Sequence, residues 1–99
     1  MPLQTFGAWL RAARESRSLT QLDLGDLTGI ANVTISHFET DRRLPTLSQA
    51  AALSSELFID MNEVATRIVK ERLMKTLEGR ILMAEFRDGR FYDHPFDRE

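Results

Sequence analysis

Uncharged hydrogen-bonding side chains are concentrated between residues 20 and 43. The stretch contains Thr20, Gln21, Asn32, Thr34, Ser36 and His37, and it ends with Arg42 and Arg43. Hydroxyl and amide groups are typical ligands of phosphate oxygens. An asparagine amide can pair with adenine, a histidine can donate to guanine, and a valine such as Val33 can pack against a thymine methyl group. These residue types suit molecular recognition better than bond-making chemistry.

Several kinds of active site are missing from the sequence. The chain has no cysteine, which excludes disulfides, zinc-thiolate sites and cysteine nucleophiles. Its two histidines, His37 and His94, are far apart in the chain, and no glycine-rich phosphate loop or Ser/His/Asp arrangement accompanies them. We therefore predict that the protein is not an enzyme and needs no cofactor or metal ion.

Charge and composition limit how a partner can be held. Of the 99 residues, 42% are hydrophobic and 28% are charged, which is typical of a folded domain, and the net charge is −2. Residues 1–55 carry five arginines and five carboxylates, so a nucleic acid would be bound through few, well-placed contacts. No apolar run is long enough to span a membrane and residues 1–4 begin no signal peptide, so we expect a cytoplasmic protein.

Hydrophobic spacing and capping residues predict four short helices in the first half of the chain. Thr5 and Thr46 are predicted N-caps of the first and fourth helices, and the fourth is expected to bury Leu47, Ala50, Leu53 and Leu57. Thr20 should cap a second helix that ends at Gly29, and a third helix is predicted over residues 32–41. Only three residues separate the second helix from the third, so the two must cross sharply.

A fifth helix and a hairpin are predicted to follow. Asp60 and Glu63 form a capping-box pattern that opens a helix over residues 61–78, closed by Gly79. Beyond it, two runs with alternating apolar residues flank Asp88-Gly89, which predicts a β-hairpin over residues 80–96. Both faces of this hairpin would be apolar, so it needs a partner surface, which one chain or two could supply.

The central motif resembles a known family. The matching residues are Leu19-Thr20-Gln21, Leu24, Gly29-Ile30, Thr34-Ile35-Ser36, Glu39 and Leu44-Pro45. In type and spacing they resemble the phage-repressor-like (Cro-like, xenobiotic-response-element) helix-turn-helix family over roughly residues 6–59. Generic αα corners share the helical outline alone, whereas this residue pattern is more specific. The last forty residues lie outside the resemblance.

The resemblance implies a role for each matching residue. Asn32, Val33 and His37 would contact base edges, with the helix of residues 32–41 in the major groove of double-stranded DNA. The phosphate or secondary contacts would come from Thr20, Gln21, Thr34, Ser36, Arg42 and Arg43. Arg14 and Glu39 would form a structural salt bridge. The sequence departs from the family at Gly25, where alanine is usual, at Ala31, where a hydroxyl cap is usual, and at Phe58, where glycine is usual.

We therefore predict a mainly α protein, with a four- to five-helix lambda-repressor-like domain and a C-terminal β-hairpin. Residues 1–59 would bind DNA, and residues 60–99 would dimerise. The residues predicted to dimerise are Met61, Val64, Ile68, Leu73, Leu77, Leu82, Phe86, Phe91 and Phe96. The expected function is a homodimeric transcriptional regulator, most simply a repressor, on a palindromic operator. The alternative is an antitoxin whose C-terminal segment neutralises a protein partner and whose N-terminal domain autoregulates.

Overall fold

The structure, a computed structural model, describes the backbone of residues 4–88 and the side chains of residues 4–77. Over this range the chain forms five helices and no strand. The helices are α1 (Phe6–Ser16), α2 (Gln21–Thr28), α3 (Asn32–Glu39), α4 (Leu47–Leu57) and α5 (Met61–Asp88). The predicted mainly α class is confirmed for the described residues.

Threonine caps begin three of these helices, as predicted. The hydroxyls of Thr5, Thr20 and Thr46 each accept a hydrogen bond from the backbone N–H of the third residue in the helix that follows. In α2 the cap is reciprocal, because the Asp23 carboxylate accepts the backbone N–H of Thr20 at 2.9 Å. This hydrogen bond lowers the pKa of Asp23 below its ordinary value, because it favours the ionised form.

One hydrophobic core joins α1 to α4 with the beginning of α5. Its buried members are Phe6, Leu10, Leu24, Ile30, Ile35, Phe38, Ala50, Leu53, Leu57, Val64 and Ile68. The chain divides into two compact units, Met1–Val69 and Lys70–Glu99, so the first nine residues of α5 belong to the first unit.

The prediction that Leu47 is buried is wrong: its side chain is 73% exposed. Leu47 occupies the first helical position after the Thr46 cap and faces away from the core.

The turn between α2 and α3 depends on two glycines. Gly29 ends α2 with a left-handed φ of 77° and donates its N–H to the carbonyl of Gly25 at 2.8 Å. A Cβ atom on Gly25 would lie 2.8 Å from the carbonyl oxygen of Ile30. Alanine at residue 25 would therefore force the turn to shift, so the close approach of α2 to this turn requires glycine.

The third helix is shorter than predicted. It ends at Glu39 rather than at residue 41. Asp41 adopts a left-handed φ of 63°, which cannot continue a right-handed helix. The N–H of Arg42 then donates to the carbonyl of His37 at 2.9 Å, closing the C-terminus of α3. Asp and Asn tolerate this conformation better than most residues, which is why the helix can end here without glycine.

The fifth helix is longer than predicted, because it continues through Gly79 to Asp88. A single interior glycine weakens a helix by about 1 kcal/mol but does not end it when strong helix formers such as Leu77 and Glu78 flank it. Residues 80–87, predicted as the first strand of the hairpin, are helical in the structure. Its turn at Gly89 and its second strand lie outside the described residues, so the hairpin as a unit is not tested.

Candidate nucleic-acid interface

The third helix has one face in the core and another that is free to contact a partner. Ile35, Phe38 and Glu39 are buried. On the other side Asn32 is exposed, Val33 is 60% exposed and His37 is half-buried. Within residues 4–77, the side chains of Asn32 and His37 form no hydrogen bond and no ion pair, so their polar groups are available to a ligand. The structure thus brings all three predicted base-reading residues to one outward face.

The beginning of α3 lacks the side-chain cap that the other helices of the domain have. Ala31 occupies the N-cap position and makes no side-chain hydrogen bond, as its residue type requires. Its carbonyl accepts the N–H groups of Thr34 at 2.9 Å and Ile35 at 3.1 Å. The hydroxyl-bearing residues Thr34 and Ser36 are half-buried and flank the outward face. Asn32 is therefore the first polar side chain at this end of α3, and it is exposed.

A buried salt bridge fixes the third helix against the first. Arg14 donates to Glu39 through Nε at 2.7 Å and Nη2 at 3.0 Å, and its Nη1 donates to the carbonyl of Leu19 at 2.6 Å. Arg14 and Glu39 are each only 8% exposed. The hydrogen bond to Glu39 raises the pKa of Arg14 above its ordinary value and outweighs the opposing effect of burial. The geometry agrees with the predicted structural role of this pair.

Gln21 contacts this salt bridge. Its Nε2 donates to Oε1 of Glu39 at 3.0 Å, and its side chain is half-buried. Gln21 also lines a shallow open groove with Thr20 and Asn32, so the structure brings two predicted phosphate ligands beside a predicted base reader. Thr20 uses its oxygen to cap α2, which leaves its hydroxyl hydrogen available as a donor.

The loop after α3 holds the two predicted backbone-contacting arginines. Arg42 and Arg43 are exposed, and both donate their backbone N–H to the carbonyl of His37, at 2.9 and 3.3 Å. Sequence reasoning missed a contact that positions this loop: Oδ1 of Asp41 accepts the N–H of Gly7 at 2.9 Å. Asp41 and Gly7 are 34 positions apart. The one sequence signal for this contact is the aspartate that stands directly before Arg42 and Arg43.

The predicted dimerisation residues have different environments. Val64 and Ile68 are only 1% and 6% exposed within their own chain, and Met61 packs against the same core. Their apolar spacing therefore reflects the core of the domain, not a surface for a second protomer. Leu73 is 55% exposed and Leu77 is half-buried. The side chains of Leu82, Phe86, Phe91 and Phe96 lie outside the described residues.

No helix in the described part of the chain is both long and apolar enough to cross a membrane.

A family model described as Helix-turn-helix matches residues 10–64, which include the salt bridge, the outward face of α3 and the arginine loop. The comparisons with curated proteins and with solved structures give no match. The family match covers more than half of the chain and confirms the predicted resemblance. This chain therefore belongs to the Cro-type helix-turn-helix family of DNA-binding proteins.

Proposed function

We propose that this protein is a sequence-specific transcriptional regulator that represses by binding a palindromic operator as a homodimer. The observation that carries the proposal is the outward face of α3, where Asn32, Val33 and His37 present unengaged side chains on a helix fixed by the core. An α-helix with its side chains is about 10–12 Å in diameter, and the major groove is about 12 Å wide. In this proposal α3 lies in the groove and these three side chains contact base edges.

Contacts to the DNA backbone would position α3. Gln21 and Thr20 lie beside the outward face of α3, and Arg42 and Arg43 follow the C-terminal end of that helix. Thr34 and Ser36 flank it as secondary ligands. Because arginines and carboxylates balance over residues 1–55, long-range attraction contributes little, and affinity depends on these local contacts and on a second protomer. The balance favours selective over indiscriminate binding.

The second protomer would be held through the part of the chain beyond Val69. Leu73 and Met74, adjacent apolar side chains in the second compact unit, are 55% and 51% exposed, so a second protomer that covered them would remove apolar surface from water. Leu77 lies four residues after Leu73, on the same side of α5. Two helix-turn-helix units about 34 Å apart would read two half-sites of an inverted repeat. Occupancy of a promoter is then sufficient for repression.

An antitoxin remains the second candidate. Three large apolar side chains of the first unit, Leu22, Leu27 and Phe58, are 59%, 51% and 76% exposed, and a protein partner that covered them would remove apolar surface from water. Phe58 also has a left-handed φ of 57°, and Arg17 lies over its ring at 4.1 Å. Purification of the chain as a stoichiometric complex with a second small protein would favour this candidate over a simple repressor.

Selection of bound duplexes from a random library tests the proposal. We expect the wild-type chain to enrich one motif with twofold symmetry. An enriched motif without symmetry would contradict the homodimer, and a pool that stays random would contradict sequence-specific binding altogether.

We predict that His37→Ala changes the base preference at one position in each half-site. Loss of the imidazole donor should cost about 1–3 kcal/mol for the preferred base and much less for the other three. Titration of single-base variants of the selected duplex measures this effect. Thr66→Ala, at an exposed position of α5, is the control and should leave every affinity unchanged. An unaltered base preference for His37→Ala would show that His37 does not read the sequence.

A further inference from the structure

Three helices meet at the carboxylate of Glu39. Its Oε2 accepts Nε of Arg14 from α1, and its Oε1 accepts both Nη2 of Arg14 and Nε2 of Gln21 from α2. The Glu39 side chain is 2% exposed, whereas Gln21 is half-buried and lines the open groove. Gln21 thus connects a buried ion pair to the surface where a DNA backbone would lie.

The negative charge of Glu39 is compensated by Arg14 and does not need a hydrogen bond from Gln21 for its stability. Arg14 supplies a full positive charge through two parallel hydrogen bonds, the strongest geometry for this kind of pair. A glutamine at the edge of a groove could instead bind water at little cost. The contact between Gln21 and Glu39 therefore has a second consequence, which is to fix the orientation of the Gln21 amide.

That orientation is determined by chemistry. An ionised carboxylate can only accept hydrogen bonds, so the nitrogen of the Gln21 amide must face Glu39 and its oxygen must point away. The nitrogen carries two hydrogens, and the contact with Glu39 uses one of them. The second hydrogen stays available to an acceptor in the groove, and a DNA phosphate offers only acceptors.

We propose that Glu39 is a positioning residue for DNA: through its hydrogen bond to Nε2 of Gln21, it holds that amide ready to donate to a backbone phosphate. The inference rests on the proposed function, since it assumes that Gln21 meets DNA. It also assigns Glu39 a role beyond the salt bridge that stabilises the fold.

For the change in DNA affinity on loss of the Glu39 charge, the inference and simple electrostatics predict opposite signs. A carboxylate close to DNA repels phosphates, so removing its charge should strengthen binding to all duplexes. Under our proposal Glu39→Gln weakens binding instead. Both oxygens of Glu39 accept from Arg14, so a glutamine at this position must turn its NH₂ group toward one of the Arg14 donors. If the NH₂ group takes the place of Oε1, it also faces Gln21, whose amide must then present its oxygen there, and the phosphate loses its donor. If it takes the place of Oε2, the amide oxygen that still faces Gln21 is neutral and holds Nε2 less firmly than a carboxylate does.

A double-mutant cycle on the selected duplex tests the inference. We expect Gln21→Ala and Glu39→Gln each to weaken binding about 10- to 150-fold, equally for the preferred and altered base sequences, as loss of one hydrogen bond to a charged acceptor should. In the Gln21→Ala background, Glu39→Gln should cause no further loss. Glu63→Gln removes the same charge at an exposed position of α5 and is the matched control, expected to leave affinity unchanged.

The outcomes separate this inference from the proposed function. If the wild-type chain binds no duplex selectively, the proposed function fails. If the wild type binds but Gln21→Ala has no effect, or Glu39→Gln weakens binding by the same factor in both backgrounds, only the positioning role fails. The same conclusion follows if Glu39→Gln strengthens binding.

A measurement on the wild-type chain covers the case in which Glu39→Gln does not fold. The Nε2 hydrogen of Gln21 that Glu39 holds should give an NMR signal that exchanges slowly with water and is shifted from the position typical of a solvated glutamine amide. Addition of the selected duplex should shift the signal of the other Nε2 hydrogen. Two signals at the positions of a solvated glutamine, both exchanging rapidly with water, would overturn the inference.

Discussion

Glu39→Ala is expected to lower the free energy of unfolding by about 3–5 kcal/mol. The substitution removes the acceptor for two nitrogens of Arg14, whose guanidinium is only 8% exposed, and leaves it the solvent-exposed carboxylate of Glu15, 3.9 Å away, as its remaining counter-charge. Arginine cannot lose its proton at accessible pH, so it cannot escape this cost by becoming neutral. Small domains are stable by only about 5–15 kcal/mol, so the variant should melt far below the wild type. Thermal and denaturant unfolding followed by circular dichroism measures the loss.

Glu63→Ala provides the matched control. Glu63 pairs with Arg67 at 3.4 Å, but the two side chains are 49% and 35% exposed. An exposed pair four residues apart on a helix contributes about 0.3–0.5 kcal/mol, so this variant should unfold almost like the wild type. Equal small losses for the two variants would mean that the Arg14–Glu39 pair is hydrated and does not hold α1 against α3.

Truncation after Val69 is expected to lower the affinity for a full inverted repeat by about 100-fold or more. The remaining residues contain every member of the buried core among the side chains that the structure describes, including Val64 and Ile68, so they should fold as a monomer. A monomer binds each half-site separately and loses the high effective concentration that a tethered second unit provides. Sedimentation gives the oligomeric state, and titration of the selected duplex gives the affinity.

Point variants of the full-length chain test whether the truncation acts by removing the dimer interface or simply by shortening the protein. Leu73→Glu introduces a charge at an apolar side chain that is 55% exposed, whereas Thr76→Glu introduces it at an exposed polar one three residues later. We expect Leu73→Glu to be monomeric and Thr76→Glu to behave as the wild type. A truncated chain that stays dimeric and binds the full repeat tightly would rule out dimerisation beyond Val69.

Local signals predicted the beginnings of the helices well. A threonine cap acts on an amide three residues away, so Thr5, Thr20 and Thr46 could be identified from their neighbours alone. The ends of α3 and α5 were not predicted. The first depends on the left-handed conformation of Asp41 and its contact with distant Gly7. The second depends on whether a single glycine interrupts a helix, and sequence alone does not decide that.

Contacts between distant residues explain the other differences. Apolar spacing indicated that Val64 and Ile68 would be buried, but spacing does not identify the surface that covers them, which is the core of their own domain. For the candidate site, the family resemblance supplied the Arg14–Glu39 salt bridge and, separately, the role of Gln21. It did not indicate that Glu39 binds Gln21, 18 residues away, because this contact depends on how α2 packs beside α3.

The most direct test of sequence-specific DNA binding is the ratio of two dissociation constants at physiological salt. One constant is measured for the duplex selected by the wild-type chain, and the other for a scrambled duplex of the same length and composition. Specific regulators typically bind their site about 10³-fold or more tightly than other DNA, and we predict a ratio in that range. Equal constants for the two duplexes would contradict the account, because the outward face of α3 would then read no sequence.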